Sequence, residues 1–293
     1  MHPLGSNAVP APGPRPPFPP EFLDPLLRGF LAEDLGAGDV TAAACFPDPA
    51  QPARAVIRCR QPCTVAGVTV AGRVFTLAAG ALHATAAVAD GEAIPAGAAL
   101  LAINGPVAPL LSAERVALNL LQRLCGVATI TARFVAAVAG TGAAICDTRK
   151  TTPGLRLLEK YAVRCGGGTS HRLGLFDALL IKDNHIQACG SVAEAVARAR
   201  RHTPPGTKIE VEVEDLAQLA EGLTAGADLL LLDNMDVKTM RTAVARVAGR
   251  VPLEASGGVT LETVGRIAAT GVQFISVGAL THSVPAIDLS LEL

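Results

Sequence analysis

The sequence predicts an α/β protein, with a mixed N-terminal domain ahead of repeated strand–helix units. Three observations carry this reading. Half of the 293 residues are hydrophobic and 17% are charged, which allows a large core. After Gly140, short apolar runs alternate with amphipathic stretches, the rhythm of a parallel sheet or barrel. The segments DTRK, KDNH, EVE, LDN, SGG and VGALTHS stand at the C-terminal ends of those runs, where an α/β barrel carries its site.

The first 20 residues, MHPLGSNAVPAPGPRPPFPP, are Pro-rich and lack a signal-peptide core, so 1–20 is expected to be a disordered tail. From Glu21 to about Pro109, alternating apolar stretches such as ARAVIRCRQPCTVAGV read as a mainly β, α+β domain. Ser112 to Val138 has a helical pattern, with Ser112 as its cap and Glu114 in its first turn. These readings place an N-terminal domain at 21–120 and a strand–helix domain at 121–284. In the latter, AAICDTR, DALLIKD, KIEVEVE, DLLLLDN, VPLEASGG and QFISVGAL are the expected strands. Among the intervening helices, SVAEAVARARR has Ser191 and Glu194 at capping-box spacing, and Asp236 and Thr260 cap the next two.

A net charge of −1, no Trp and 3% aromatic residues argue against nucleic-acid binding. The seven cysteines are irregularly spaced without a CxxC, as for reduced thiols in a cytoplasmic protein. No apolar run is expected to reach transmembrane length, and no membrane role is expected.

Cations concentrate between Asp147 and His185. Arg149, Lys150, Arg156, Lys160, Arg164, His171, Arg172, Lys182 and His185 surround the glycines Gly166 to Gly168. In so apolar a chain this concentration suits a polyanionic ligand, because Arg offers forked donors and Lys a point charge. The triple glycine matches no nucleotide motif and reads as a tight loop presenting His171 and Arg172. Lys182 has three readings: a salt bridge to an inward Glu, a Schiff-base amine, or an anion ligand. His185 and His282 are further candidates, whereas His2, His83 and His202 read as surface or core residues.

Strand alternation puts Glu210, Glu212 and Glu214 on one face and Val211 and Val213 on the other. If the valines meet the helix layer, the carboxylates point inward, where they must be paired or bind a cation. Asp233 ends the next strand and is placed to share that cation, for which Mg²⁺ is the natural choice. A solvated edge strand is the plain alternative. Ser256-Gly257-Gly258 and Ser276-Val277-Gly278 follow the last two strands, and free backbone amides at such junctions hold phosphate.

Together, DTRKT, PGLR, EKYAVR, GGG, HRLGL and LIKDNH resemble the quinolinate phosphoribosyltransferase family. So do EDLGAGDVT, ERVALNLLQRLCGVAT, EVEVE, LLLLDNM, LEASGGV and SVGALTHS, in that order from about Phe22 to the C-terminus. The resemblance implies a type II phosphoribosyltransferase fold: an incomplete α/β barrel with an N-terminal α/β sandwich, to which a last strand within 285–293 returns. It implies phosphoribosyl transfer from phosphoribosyl pyrophosphate to quinolinate with loss of CO₂, in NAD biosynthesis. Arg149, Lys150, His171, Arg172 and Lys182 would surround the dicarboxylate and pyrophosphate. Arg115 would enter from the neighbouring subunit of a homodimer, or of a hexamer of dimers. Glu212 and Asp233 would serve ribose and Mg²⁺, and Ser256, Gly257, Gly258 and Gly278 the 5-phosphate. Lys150, Lys182, Glu212 and Asp233 would form the catalytic set. Ser170 and Cys125 depart from the family's usual Asn and Ser. A relative of the same fold with another acceptor, a Schiff-base aldolase using Lys182, and a non-enzymatic phosphometabolite-binding regulator are the competing readings.

Overall fold

The computed structural model describes residues 18–293; of the expected tail, 1–17 lie outside the described residues. The chain forms two compact units, one running to Cys125 with Ile287–Leu293 added, the other Gly126–Ala286. In chain order the elements begin with helices α1 (Pro20–Leu35) and α2 (Val40–Cys45) and strands β1 (Pro52–Cys59) and β2 (Cys63–Thr64). Helix α3 (Val68–Ala78), strands β3 (His83–Ala86), β4 (Ala93–Ile94) and β5 (Ala99–Pro106), and the long helix α4 (Val107–Ala137) follow. Next come β6 (Ala144–Cys146), α5 (Arg156–Cys165), β7 (Leu179–Ile181), α6 (Asp183–Cys189) and α7 (Val192–His202). The chain closes with β8 (Ile209–Val213), α8 (Leu216–Thr224), β9 (Leu229–Asp233), α9 (Val237–Val247), β10 (Leu253–Ser256), α10 (Leu261–Ala268), β11 (Phe274–Ser276), α11 (Ala279–His282) and β12 (Leu289–Glu292).

In the first unit β12, β1, β5 and β3 form an antiparallel sheet in that order. Along β1, Ala55, Ile57 and Cys59 are buried at every second position, so one face of the sheet is apolar. That face is covered because α3 has the matching stripe, Val68, Val70, Ala71, Val74 and Phe75, all buried. Arg73 of α3 reaches Asp24 of α1 with its Nε at 2.8 Å. Helix α1 is not legible in the sequence: its first residue is Pro20 and Pro25 lies inside it. Proline favours a first helical position, but inside a helix it removes a backbone bond.

Helix α4 starts five residues earlier than the sequence suggests, directly from β5. Pro109 looks like a boundary, yet a first-turn proline has no helical N–H to lose. Ser112 therefore lies inside the helix and caps nothing: its hydroxyl donates to Ala108 O at 3.0 Å and to Asp39 Oδ2 at 2.8 Å. Asp39 itself caps α2 by accepting from Ala42 N at 2.8 Å. Against the sequence reading, α4 is long and apolar enough to cross a membrane, with a mean hydropathy of 1.2 over its best window. Half of that window is buried inside the protein, as in a core helix.

In the second unit all six expected strands form, parallel, in the order β6-β11-β10-β9-β8-β7. Helices intervene between successive strands, as βα units require. Strands β6 and β7 do not pair, but residues at the ends of both line one cavity with the four between them, so the sheet is curled. This is the incomplete barrel. Outside β6, Thr169 adds a parallel bridge to Cys146. The helix starts read from the sequence hold at Ser191, whose hydroxyl accepts from Glu194 N at 3.1 Å, and at Asp236, which accepts from Thr239 N at 2.7 Å. At α10 Thr260 is likewise the N-cap, in a capping box in which Thr263 Oγ1 accepts from Thr260 N at 2.9 Å.

Candidate active site

A cavity of about 390 Å³ opens at the C-terminal ends of the six parallel strands. The loop after β6 brings Thr148, Arg149 and Lys150 to it, β7 brings Leu180 and Lys182, β8 Glu212, and β9 Leu231 and Asp233. Strand β10 adds Glu254 and Ser256, and β11 adds Ser276. Period-two alternation explains the set: Val211 and Val213 are buried on the opposite side, while Glu212 faces the cavity. Glu214 lies one residue past the strand and is exposed, so the inward stripe holds two glutamates rather than three.

The cationic run divides between scaffold and site. Lys160 is 1% exposed and pairs with fully buried Asp147 at the end of β6. It also donates to His171 O at 3.1 Å, and Asp147 accepts from His171 N at 2.9 Å. This buried pair fixes the loop that carries His171. Burial holds the Asp147 carboxyl above its ordinary range, although Lys160 and the His171 amide pull it down. Arg156 binds Thr151 Oγ1 at 2.9 Å and Leu173 O at 3.1 Å, and Arg164 lies over the Tyr161 ring. His185 Nδ1 accepts from Lys182 N at 2.9 Å at the start of α6, and His282 is exposed beside Ser283. Arg149, Lys150, His171, Arg172 and Lys182 remain, and all five line the cavity.

The triple glycine is a packing device. A Cβ on Gly166 would lie 2.4 Å from Ala128 O of α4, and one on Gly168 2.7 Å from Val163 Cγ1. Gly167 has φ +83°, a left-handed value that favours glycine. The loop thus runs close against α4 and returns to β6 at Thr169, which sets His171 and Arg172 at the cavity.

His171 Nδ1 accepts from Arg172 N at 2.8 Å, so the neutral ring carries its proton on Nε2. Nε2 faces Glu210 at 3.1 Å and Glu254 at 3.6 Å. Burial works against a charge on this imidazole, but Glu210 and Glu254 outweigh it and hold the ring above its ordinary value. Arg172 is pushed below its usual value, first by burial and then by the charge of Arg149. The Arg149 Nε is buried with no bonded partner. Cations that repel one another beside an unpaired donor are arranged for an anionic guest.

Lys182 is paired with Glu212, as one sequence alternative held. Asp233 accepts from Asn234 Nδ2 at 2.7 Å. Glu254 is 2% exposed and was not singled out from the sequence, because LEASGG reads as an apolar strand entering a glycine turn. Burial raises its carboxyl from 4.5 to about 7, helped by the charge of Glu210. The sign follows from proton counting. The folded state keeps a proton that the unfolded chain releases, so this group's stabilisation is complete below pH 4.5 and is lost as pH rises through about 7. Glu254→Gln should therefore melt higher than the unchanged protein at pH 8, by up to roughly 3 kcal/mol at about 1.4 per pK unit, and much less so at pH 5. Equal shifts at both pH values in thermal melts would point to packing instead.

The two glycine loops differ. Gly257 has φ +98°, and a Cβ there would lie 2.1 Å from Asn234 Oδ1, so only glycine lets the β9 and β10 loops meet. Gly258, at φ +59°, faces open space, and with Ser256 and Gly257 it lines the cavity. Gly278 does not line it. A Cβ there would touch the Lys150 stem at 3.2 Å, and Thr281 Oγ1 donates to Lys150 O at 2.8 Å. This second loop thus holds Lys150 in place. Arg115 is also off the cavity: it belongs to the first unit, on α4, with its side chain 58% exposed. Besides Glu254, the sequence reading missed Asn234 and the cavity-facing role of Ser276, both inside quoted motifs.

His171, Glu210 and Glu254 have ligand atoms within 4.8 Å of one another, but the imidazole already faces both carboxylates, so no metal is assigned to that cluster. Asp233 and Glu212 both line the cavity; Asp233 meets no cation among the described residues, and Glu212 meets only Lys182. Their hard oxygens fit Mg²⁺ together with substrate oxygens.

Known proteins resemble this chain in sequence and fold. Residues 39–125 match the quinolinate phosphoribosyl transferase N-terminal domain, and residues 127–292 its C-terminal domain. A probable nicotinate-nucleotide pyrophosphorylase [carboxylating] of Bacillus subtilis is 44% identical over 271 residues, which cover 92% of this chain and 93% of that protein. The nicotinate-nucleotide pyrophosphorylase [carboxylating] of Mycobacterium leprae is 45% identical over 273 residues, 91% of this chain and 95% of its own. The crystal structure of NadC from Streptococcus pyogenes superposes with a TM-score of 0.90 at 41% identity, covering 94% of this chain and 97% of that one. Domain order, fold and full-length similarity agree: the chain belongs to the quinolinate phosphoribosyltransferase family.

Proposed function

We propose that this chain transfers the phosphoribosyl group of phosphoribosyl pyrophosphate to the ring nitrogen of quinolinate. Pyrophosphate leaves, the carboxylate next to that nitrogen is lost as CO₂, and nicotinate mononucleotide is the product. The observation that carries the reading is one cavity where five cationic side chains face three carboxylates, Glu212, Asp233 and Glu254, and a glycine loop. One substrate is a pyridine dicarboxylate and the other bears a phosphate and a pyrophosphate, so both halves of the cavity have work.

Arg149, Arg172 and His171 bind the ring carboxylates, and Lys150 and Lys182 the pyrophosphate. Lys182 leaves Glu212 when an anion enters, which frees Glu212 for the ribose hydroxyls. Ser256, Gly257 and Gly258 take the 5-phosphate. Glu212 and Asp233 flank the ribose as its C1 becomes cation-like, so catalysis is positioning plus electrostatics. Asp233 and Glu212 would hold Mg²⁺, whose chemistry is to neutralise charge on the departing pyrophosphate. A Schiff-base role for Lys182 is disfavoured by its ion pair with Glu212, which engages the amine that would attack a carbonyl. Seven free cysteines fit a reducing, cytoplasmic setting. Supplied with quinolinate, phosphoribosyl pyrophosphate and Mg²⁺, the purified protein should form nicotinate mononucleotide; no product would reject the proposal.

Arg115 enters this account as a residue that acts on the neighbouring copy in a symmetric dimer, where each subunit offers the same patch to the other. Arg115→Ala and Lys182→Ala should each be nearly inactive. When the two are co-refolded, half of the dimers are mixed and one site in each is intact, so about a quarter of full activity should return. No recovery, with mixed dimers shown to form, would confine Arg115 to its own subunit.

A further inference from the structure

Loss of CO₂ from the ring leaves an electron pair on the carbon next to the ring nitrogen, and that carbon must take a proton. The cations around the cavity stabilise charge: Lys150 and Lys182 are engaged by the pyrophosphate in the proposed reaction, and His171 turns its Nε2 proton toward Glu210 and Glu254. Glu254 is the remaining acid. It lines the cavity while 2% exposed, and its Oε1 accepts from Ser276 Oγ at 2.5 Å. The titratable groups whose charges act on it are Glu210 on β8, His171 on the loop after the glycines, and Cys146 and Asp147 at the end of β6. Burial first, and then the Glu210 and Asp147 carboxylates, oppose a negative charge on Glu254, and together they outweigh His171 and the Ser276 hydroxyl, which favour it.

We propose that Glu254 is the proton donor of the decarboxylation half-reaction. The C–CO₂ bond breaks and its electrons remain on the ring carbon. The Glu254 hydroxyl proton moves to that carbon, and the resulting carboxylate regains a proton from solvent before the next turnover. Each cycle thus consumes one proton and requires no oxidant or reductant. This inference rests on the proposed reaction. It adds a residue that the curled sheet brings to the cavity, and it gives the buried Ser276 hydroxyl a role in setting how readily Glu254 ionises.

The test is the pH profile of kcat/KM from pH 5.5 to 9, with quinolinate, phosphoribosyl pyrophosphate and Mg²⁺, for the unchanged enzyme and two variants. The unchanged enzyme should lose activity as pH rises through about 7, where Glu254 ionises. If it shows no turnover at all, the functional reading fails rather than this inference. Glu254→Gln keeps the shape but not the proton; at pH 6 it should be about 100-fold slower and should show no loss of activity through neutral pH. Ser276→Ala removes a donor to the carboxylate, so the fall should move to higher pH. A Glu254→Gln enzyme as active as the original, or one that keeps the same fall in activity at the same pH, would overturn the assignment. If Glu254→Gln does not fold, an unmoved profile in Ser276→Ala would overturn it equally. A merely structural Glu254 would lower activity alike at every pH.

Discussion

Nicotinate, offered in place of quinolinate, should react with a kcat/KM about 10⁴-fold lower, the discrimination reached when a site built to bind a polar group finds it missing. Nicotinate lacks the carboxylate next to the ring nitrogen. Without it, the buried Arg149 Nε stays unpartnered and Arg172 keeps facing the Arg149 charge. An unpaired buried donor costs several times what a surface contact returns. Arg172→Ala should affect the two acids unequally. That variant should lose about 10³-fold with quinolinate, as when a buried charge contact is removed, and gain nothing with nicotinate. Steady-state kinetics with both acids on both proteins decides it. Comparable kcat/KM values for the two acids would show that the cations serve another anion.

Asp233→Asn should reduce kcat by about 10³-fold, a loss typical of removing one group that stabilises transition-state charge, with the fold intact. Asp233 ends β9 beside Ser256 of β10, in register across the parallel pair. It carries the negative charge that meets no cation among the described residues and faces the cavity. An amide in its place keeps the shape and the polar contact but cannot balance a cation-like ribose carbon. In the proposed reaction Mg²⁺ would also answer to that charge, so activity of the unchanged enzyme should vanish in EDTA and return with Mg²⁺. The Asn variant should need more Mg²⁺ to reach its own maximum. Full activity in EDTA would remove the metal from the account and leave Asp233 to the ribose alone.

Much of this arrangement is legible in the sequence because parallel strands have a simple grammar. The six runs after Gly140 are short, apolar and end in polar residues, and all six are strands. The cations were legible as a group but not individually. Sequence spacing gives no sign that Lys160 turns inward to Asp147 while Lys182 reaches the cavity; the difference is that Lys160 lies on α5 and Lys182 follows a strand end. The glycines were visible as a loop, yet their cause, the closeness of α4 to Gly166 and Gly168, is a long-range contact. Glu254 was hidden because one glutamate in an apolar strand resembles an edge residue until the curled sheet turns it inward. Helix α1 and the true start of α4 were obscured by prolines, whose cost depends on whether the missing N–H would have been used.

The most direct test of the central claim is to label quinolinate with ¹³C in the carboxylate next to the ring nitrogen and to follow labelled CO₂ and pyrophosphate together. The account predicts one labelled CO₂ for every pyrophosphate, and none when phosphoribosyl pyrophosphate is left out, because the ring carbon gives up its carboxylate only once its nitrogen carries the ribose. Pyrophosphate released with the label still on the product, or labelled CO₂ without pyrophosphate, would contradict it.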